Sequence, residues 1–537
     1  MTSTWTTWAG DQPRLGGSTL TMLRRLLGPL TPAEAAPIEA AVVQPSALPE
    51  TAVARLREVL GPDGVLVDDR SRAEHSGGQA YADIVRRRHA DTSAAPDAVL
   101  LPADAGAVLR VLEVCSSERV AVVPWGGGTS VVGGLDSLRG DCVAVVALDL
   151  RRLDGLLEVD AESRTATFQP GIRTPAAEAA LAEHGFTLGH VPQSFERASL
   201  GGYVVTRSAG QASSGYGRID DLVVGLRLAT PVGELVLPSI PGSAAGPDLR
   251  RLVLGSEGTI GVVTEVTLRV RPTPATRHYE GWMVPSWDRG LDALRALAQR
   301  RDHPDITRLS DPDETQISLS LSGSRGLTKR LLATYLRRRG VADGCLVVVG
   351  FEGDDDDVRH RRRATRRVLR SAGAVSLGER AGRAWEHGRF SGPRLRDAML
   401  DAGVLAETLE TAATWRGLPT TYDAVRAALQ GSLGRAVVGC HVSHLYETGA
   451  SLYFTVLAAA EQGREIEQWT AAKRAANDAI VLTGATITHH HAVGTAHREH
   501  VATELGDVGI AALRAVKKQL DPAGILNPGK LLPPPTA

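Results

Sequence analysis

Three consecutive histidines, His489, His490 and His491, form the densest run of proton-transfer and metal-ligating groups in the 537-residue chain. An imidazole titrates near neutrality, so such a run suits either general acid–base chemistry or metal ligation. Consecutive side chains alternate faces on a strand and fan out on a turn, so one ion cannot collect all three from a regular strand. His497 and His500 would extend a metal set, yet zinc sites usually show cleaner spacing, such as i and i+4 on a helix. No metal is therefore expected. Two readings stay open: histidines satisfied by local hydrogen bonds, or a catalytic triplet.

A second run that could do chemistry is the glycine-rich PWGGGTSVVGG of 124–134. Successive backbone N–H groups in such a segment can form an anion-binding nest. A Rossmann fingerprint needs three glycines at set positions and then a helix. Gly126 and Gly128 fit the first two, but Val131 stands at the third and Gly133-Gly134 would break a helix starting there. The loop thus excludes a Rossmann unit and leaves an anion nest or a tight inter-strand turn. Segment 194–223, with its glycine pairs and hydroxyl residues, and GSEGTIG at 255–261 repeat the character.

The elements around these runs alternate strand and helix. Apolar patterning predicts a strand over 98–101, a helix over 106–116, a strand over 120–123, the glycine loop, and a strand over 143–148. Further strands are expected over 165–169 and 222–229, a helix over 175–184, and a closing strand before RPTPAT at 271–276, whose prolines mark a boundary. Beyond it, 287–299 reads as a helix, 345–351 as a buried strand and 358–369 as an arginine-rich helix with a solvated face, although contact with anionic lipid heads stays open. Asp354 to Asp357 read as a helix start rather than a metal site. A last helix over 501–520 stops at DPAG. These boundaries give an N-terminal helical leader (1–95), a first domain (96–275), a second domain (276–500) and a C-terminal helix and tail returning to the first (501–537).

PWGGGTSVVGGL, GYVVTRSAG, YGRIDDLV and GSEGTIGVVTE together resemble the FAD-binding (PCMH-type) domain of the vanillyl-alcohol oxidase and p-cresol methylhydroxylase superfamily. With WTTWAGD near the start, TGASLYF and THHHAVG, the chain resembles the alkyldihydroxyacetonephosphate synthase family within it. The resemblance covers nearly the whole chain. It implies an α+β fold, with a two-subdomain FAD-binding domain plus a cap domain of antiparallel sheet and flanking helices. It further implies that Pro124, Trp125, Gly126, Gly127, Gly128, Thr129 and Ser130 hold the FAD pyrophosphate. Gln193, Ser194, Ser199, Thr206, Arg207, Ser208, Ala209, Glu257, Gly258, Thr259, Ile260, Gly261, Val262 and Val263 would complete the cofactor site. No histidine lies in the glycine loop, where some relatives attach flavin covalently, so noncovalent FAD is expected.

The same resemblance makes His489, His490 and His491 a catalytic triplet and matches Tyr453 in SLYF to the family's active-site tyrosine. Arg396, in LRD, matches the arginine used on a phosphate-bearing substrate, and Arg308, in ITRLSD, a further important arginine. A guanidinium grips phosphate and carboxylate equally well. A phenol has a reference pKa of ~10, and lowering it by ~2–3 units requires roughly 3–4 kcal/mol of preference for phenolate. Cationic histidines and an arginine are expected to supply that. The implied activity is exchange of the acyl group of acyl-dihydroxyacetone phosphate for a fatty alcohol through a flavin N5 adduct, a step of ether lipid synthesis. The alternative is FAD-dependent oxidation of a 2-hydroxy acid or alcohol. The ending DPAGILNPGKLL favours that alternative, since it resembles the 2-hydroxy-acid oxidoreductase branch.

Composition excludes other classes. A net charge of -1 offers no basic field for nucleic acid. No apolar run approaches the ~18–20 residues that span a bilayer. The N-terminus lacks a secretory pattern and the last residues carry no SKL-type address, so a cytoplasmic location is expected. A lipid substrate would bring peripheral membrane contact through the amphipathic stretch 19–27; homodimerisation stays open. Cys115, Cys142, Cys345 and Cys440 lie far apart and read as free thiols.

Overall fold

The computed structural model describes residues 15–321 and 327–534, with the side chains of 320, 321 and 327–332 outside that description, as is the WTTWAGD segment. Strands Val120–Trp125 and Ala144–Asp149 run parallel and are almost wholly buried, which is why they read as unbroken apolar stretches rather than alternating ones. No helix lies between them, so the glycine loop itself makes the crossover. Ala98–Leu100 pairs parallel on the other side of Ala144–Asp149, and Val65–Leu66 adds an antiparallel edge. Helix Ala105–Glu118 covers this four-stranded sheet, its N-cap Asp104 accepting from the Ala107 amide at 2.7 Å.

An antiparallel five-stranded sheet follows, in the order Leu156–Asp160, Thr165–Phe168, Val262–Arg269, Val223–Thr230, Gly233–Leu237. The chain end returns to the first sheet. The Val122 amide donates to Ile525 O and the Asn527 amide to Val122 O, both at 2.8 Å. The helix before that return, Arg498–Leu520, is interrupted at Gly506, whose φ of 69° is non-helical.

The remaining sheet is antiparallel and seven-stranded, ordered Val375–Gly378, Thr276–Val284, Cys345–Gly353, Ile306–Ser310, Ala436–Tyr446, Gly449–Ala459, Val404–Thr414. Its two faces differ, as the period of two requires. Leu405, Leu409, Phe454, Val456, Val438 and Val442 point to the main core. Alternate positions, including Thr408, Tyr453, Thr455, Gly439 and His441, line a cavity on the opposite face.

The arginine-rich helix spans Asp355–Ser371, and Asp354 caps it by accepting from the Asp357 amide, as its aspartates suggest. Its arginines are not one solvated face. Arg359, Arg363 and Arg367 are exposed, whereas Arg361 pairs with Asp305 at 2.7 Å and Arg362 and Arg366 turn onto buried Glu280. Buried carboxylates must find cations, so the helix turns three of its seven arginines inward. Among the described residues no helix is long and apolar enough to cross a membrane, and all four cysteines are free.

Candidate active site

A cavity of ≈ 1520 Å³ lies between the glycine loops and the seven-stranded sheet. On the loop side, Pro124 to Ser130, Gln193, Ser194, Ser199, Thr206, Ser208, Ala209, Glu257, Gly258, Gly261, Val262 and Val263 line it. A Cβ on Gly127 would stand 1.9 Å from Arg197 O, and Gly128 has φ +70° over the Trp125 ring, so no larger residue fits either position. The amides of Gly126, Gly127, Gly128, Thr129 and Ser130 donate to no protein acceptor among the described residues. Five free donors in one turn fit a pyrophosphate. These residues could hold the pyrophosphate of FAD in an anion nest.

Three residues implied for the cofactor stand away from the cavity. Arg207 turns to Asp220 at 2.8 Å, Ile260 joins the core of the five-stranded sheet, and the Thr259 hydroxyl donates to Ser256 O. Glu257 reaches the cavity, but its carboxylate accepts from the Val493 and Gly494 amides at 2.9 and 2.8 Å. It ties the FAD side to the turn after the histidines. Burial pushes its pKa up to about 7, against those two hydrogen bonds.

Across the cavity, register brings the chemistry together. Glu410 and His441 are the cross-strand partners of Tyr453 on either side. Glu410 is buried and accepts from the Thr488 hydroxyl at 2.6 Å and from the amides of His489, His490 and His491 at 2.7, 3.1 and 2.9 Å. One carboxylate therefore folds the histidine run into a turn. Its pKa, although burial opposes ionisation, is held well below the usual carboxylate range by the three imidazoles, whose protonated forms would attract the carboxylate, and by the Thr488 hydroxyl.

The three rings fan out, as a turn requires. His490 and His491 line the cavity, with ring centroids 6.0 and 5.6 Å from Tyr453. His489 stands behind them: its Nε2 meets the Tyr446 hydroxyl at 2.5 Å and its Nδ1 meets His490 Nδ1 at 2.9 Å. The cavity position expected of it is taken by His444, which stacks on His489 at 5.0 Å and whose Nδ1 meets the Ser213 hydroxyl at 2.7 Å. His444, His489 and His490 bring possible ligand nitrogens within 4.8 Å of one another, a grouping different from the His497 and His500 extension considered on sequence grounds. His500 instead faces Asp478 at 2.8 Å.

Tyr453 donates to the Thr408 hydroxyl at 3.1 Å, and burial, reinforced by Glu407 and Glu410, pushes its pKa up to about 12. The expected lowering by cationic histidines is overturned. Burial holds His490 below its ordinary value and takes His491 down to about 3, so these imidazoles are neutral. Creating a free phenolate at neutral pH would cost about 7 kcal/mol, whereas a neutral imidazole already offers a lone pair. The arrangement can pass a proton between phenol and imidazole without a phenolate formed beforehand.

Both arginines line the cavity and both are ion-paired. Arg396 meets Glu407 at 3.0 Å and Gln79 O at 3.1 Å, while its Nε is buried without a partner. Arg308 pairs with Glu314. Glu314, Glu407, Glu410, His441 and His444 escaped the sequence reading, since Glu314 reads as part of an acidic helix start and the other four carry no local mark of the contacts they make across the sheet. Strict alternation around Tyr453 was the one signal that could have placed His441 beside it.

The FAD binding domain model matches residues 96–237, and the model for the C-terminal domain of FAD linked oxidases matches 273–531. An alkyldihydroxyacetonephosphate synthase of Trypanosoma brucei brucei is 33% identical over 91% of this chain and 82% of its own length. An uncharacterised FAD-linked oxidoreductase of Escherichia coli (strain K12) is 28% identical over 90% of this chain and 98% of its own. A solved alkyldihydroxyacetonephosphate synthase structure superposes with a TM-score of 0.82 at 28% identity, covering 98% of this chain and 99% of that one.

Proposed function

We propose, from the premise that this chain belongs to the alkyldihydroxyacetonephosphate synthase family of FAD-linked enzymes, that it exchanges the acyl group of acyl-dihydroxyacetone phosphate for a fatty alcohol. The observation that carries the reading is a single cavity with three kinds of wall. The free amides of 126–130 stand on one side, Tyr453, His490 and Arg396 on another, and Leu346, Leu377, Met399 and Leu457 form an apolar remainder suited to an alkyl chain.

FAD, when bound, supplies a redox-active, electrophilic ring. The protein supplies the rest. Arg396, held in place by Glu407 and Gln79 O, presents its guanidinium to the substrate phosphate. Arg308 adds positive charge at the same cavity. The Tyr453 hydroxyl and the neutral imidazoles of His490 and His491 take and return the proton beside the substrate ketone. Glu410 holds that group in place. Helix Gly17–Leu27 stands at the cavity, where Leu15, Gly16 and Thr19 line it, and its Leu26 is 40% exposed, a placement that suits transient contact with a lipid surface.

Oxidation of a 2-hydroxy acid is the second reading, because Arg396 and Arg308 would hold a carboxylate as readily. Anaerobic incubation with each substrate class separates the two. Synthase chemistry predicts release of fatty acid matched by alcohol incorporation, with no net bleaching of flavin absorbance. Bleaching by a 2-hydroxy acid, with no exchange of alcohol for acyl, would overturn it.

A further inference from the structure

Exchange of an acyl group for an alcohol removes protons from two different places. One sits on the carbon beside the ketone, next to Tyr453. The other sits on the alcohol oxygen, and an alcohol is a poor nucleophile until that proton leaves. The departing acyl group needs no proton, since it leaves as a carboxylate.

We propose that Glu314 and His441 form a second proton-transfer site, which accepts the hydroxyl proton of the incoming alcohol. This rests on the synthase reading given above. His441 lies on strand Ala436–Tyr446 directly opposite Tyr453 and lines the same cavity. Its ring stacks on the phenol at 4.9 Å and 23°. Its Nδ1 stands 3.2 Å from Glu314 Oε1, and Glu314, on helix Pro312–Leu321, also pairs with Arg308.

A carboxylate on Nδ1 fixes the tautomer that leaves the Nε2 lone pair free, here toward the cavity, where Nε2 has no partner among the described residues. The ring is kept neutral by its burial and by Arg308, with Glu314 opposing. The charged and titratable groups facing it are Arg308 and Glu314 from their strand and helix, Tyr453 from the neighbouring strand, His490 from the histidine turn, and His444 further along its own strand.

In the step, a lone pair of the alcohol oxygen forms the bond to substrate C1. The O–H electrons stay on oxygen and the proton moves to His441 Nε2. The C1 bond to the acyl oxygen breaks with its pair onto the departing carboxylate. Nothing is oxidised or reduced overall, and the imidazolium later returns its proton to solvent.

The test uses FAD-loaded full-length enzyme and separates the two proton removals. Solvent deuterium entering C1 without alcohol reports the first, and ether formation reports the second. His441→Gln should retain deuterium entry while ether formation falls about 10²-fold, the lower range for loss of a general base. A long-chain alcohol bearing two fluorines on the carbon next to the hydroxyl-bearing carbon is more acidic and should recover much of that loss. Glu314→Gln should move the acid limb of ether formation to lower pH, because the imidazole loses its neighbouring negative charge. Equal falls in deuterium entry and ether formation, or no recovery with the fluorinated alcohol, would overturn the assignment. Wild-type enzyme that brings no deuterium into C1 would remove the synthase reading itself.

Discussion

Replacing Glu410 by Gln tests the idea that one buried carboxylate builds the histidine turn. Oε1 receives three donors, Thr488 Oγ1, His490 N and His491 N, while Oε2 receives the His489 amide at 2.7 Å. A glutamine would keep its oxygen on the three-donor side and press its NH₂ against the His489 amide. One charge-assisted bond, worth ~1.5–3 kcal/mol, is lost outright, and the other three become neutral and weaker. A local cost of about 3 kcal/mol spent on misplacing His490 and His491 corresponds to roughly a 10²-fold fall in turnover. FAD should still bind, because the free amides of 126–130 lie on the far wall. Glu410 also raises the basicity of the imidazoles around it, so the acid limb of the rate profile should move to lower pH in the variant. The assay is kcat against pH, with flavin absorbance confirming loading. Turnover within a few-fold of wild type, with an unmoved acid limb, would refute the reasoning.

Tyr453→Phe removes the hydroxyl but not the ring packing, so exchange should be abolished with flavin retained; an active variant would end the proton-transfer role of Tyr453. Arg396→Lys keeps a cation beside buried Glu407 yet loses the planar fork, so KM for the phosphate-bearing substrate should rise about tenfold or more while the protein stays folded. Glu257→Gln should gain relative to wild type as pH rises. A carboxyl whose folded pKa is raised from its ordinary 4.5 to about 7 stabilises below 4.5, and that contribution fades as pH climbs through 7. The difference in unfolding free energy between variant and wild type should therefore change by about 3 kcal/mol from pH 4.5 to pH 8, read by denaturant titration.

The cofactor side of this cavity was legible in the sequence because its signal is local. The amides of 126–130 are backbone groups with no protein acceptor among the described residues, and only glycine allows the close approach at 127 and the positive φ at 128, so the residue types betray the loop. The chemical side is not local. Glu410, Tyr453 and His441 sit on three strands and meet only through register, and a one-residue slip of any one strand would turn its residue to the other face, away from its partners. A glutamate in ETLETAA carries no mark of the four bonds it accepts. Charge states were the least legible, since the same burial that keeps the imidazoles neutral drives the phenol upward, the opposite of what a count of nearby histidines suggests.

The C-terminal DPAGILNPGK illustrates how a motif can point to the wrong distinction. Its resemblance to the hydroxy-acid branch favoured an oxidoreductase, yet its residues serve the frame. Asp521 accepts from the Ile525 and Leu526 amides at 3.0 and 2.8 Å and from Lys517, which turns the chain into its pairing with Val122. Asn527 donates to Glu257 O and Gly134 O, and Lys530 to Asp136 O, fastening the two glycine loops together. Only Asn527 of this run reaches the cavity, and its amide is spent on those carbonyls. A brace of this kind is equally useful whether flavin handles hydride or carbon, so it carries no weight between the two activities. That choice rests with the wall holding Tyr453, His441 and Arg396, where a substrate would lie.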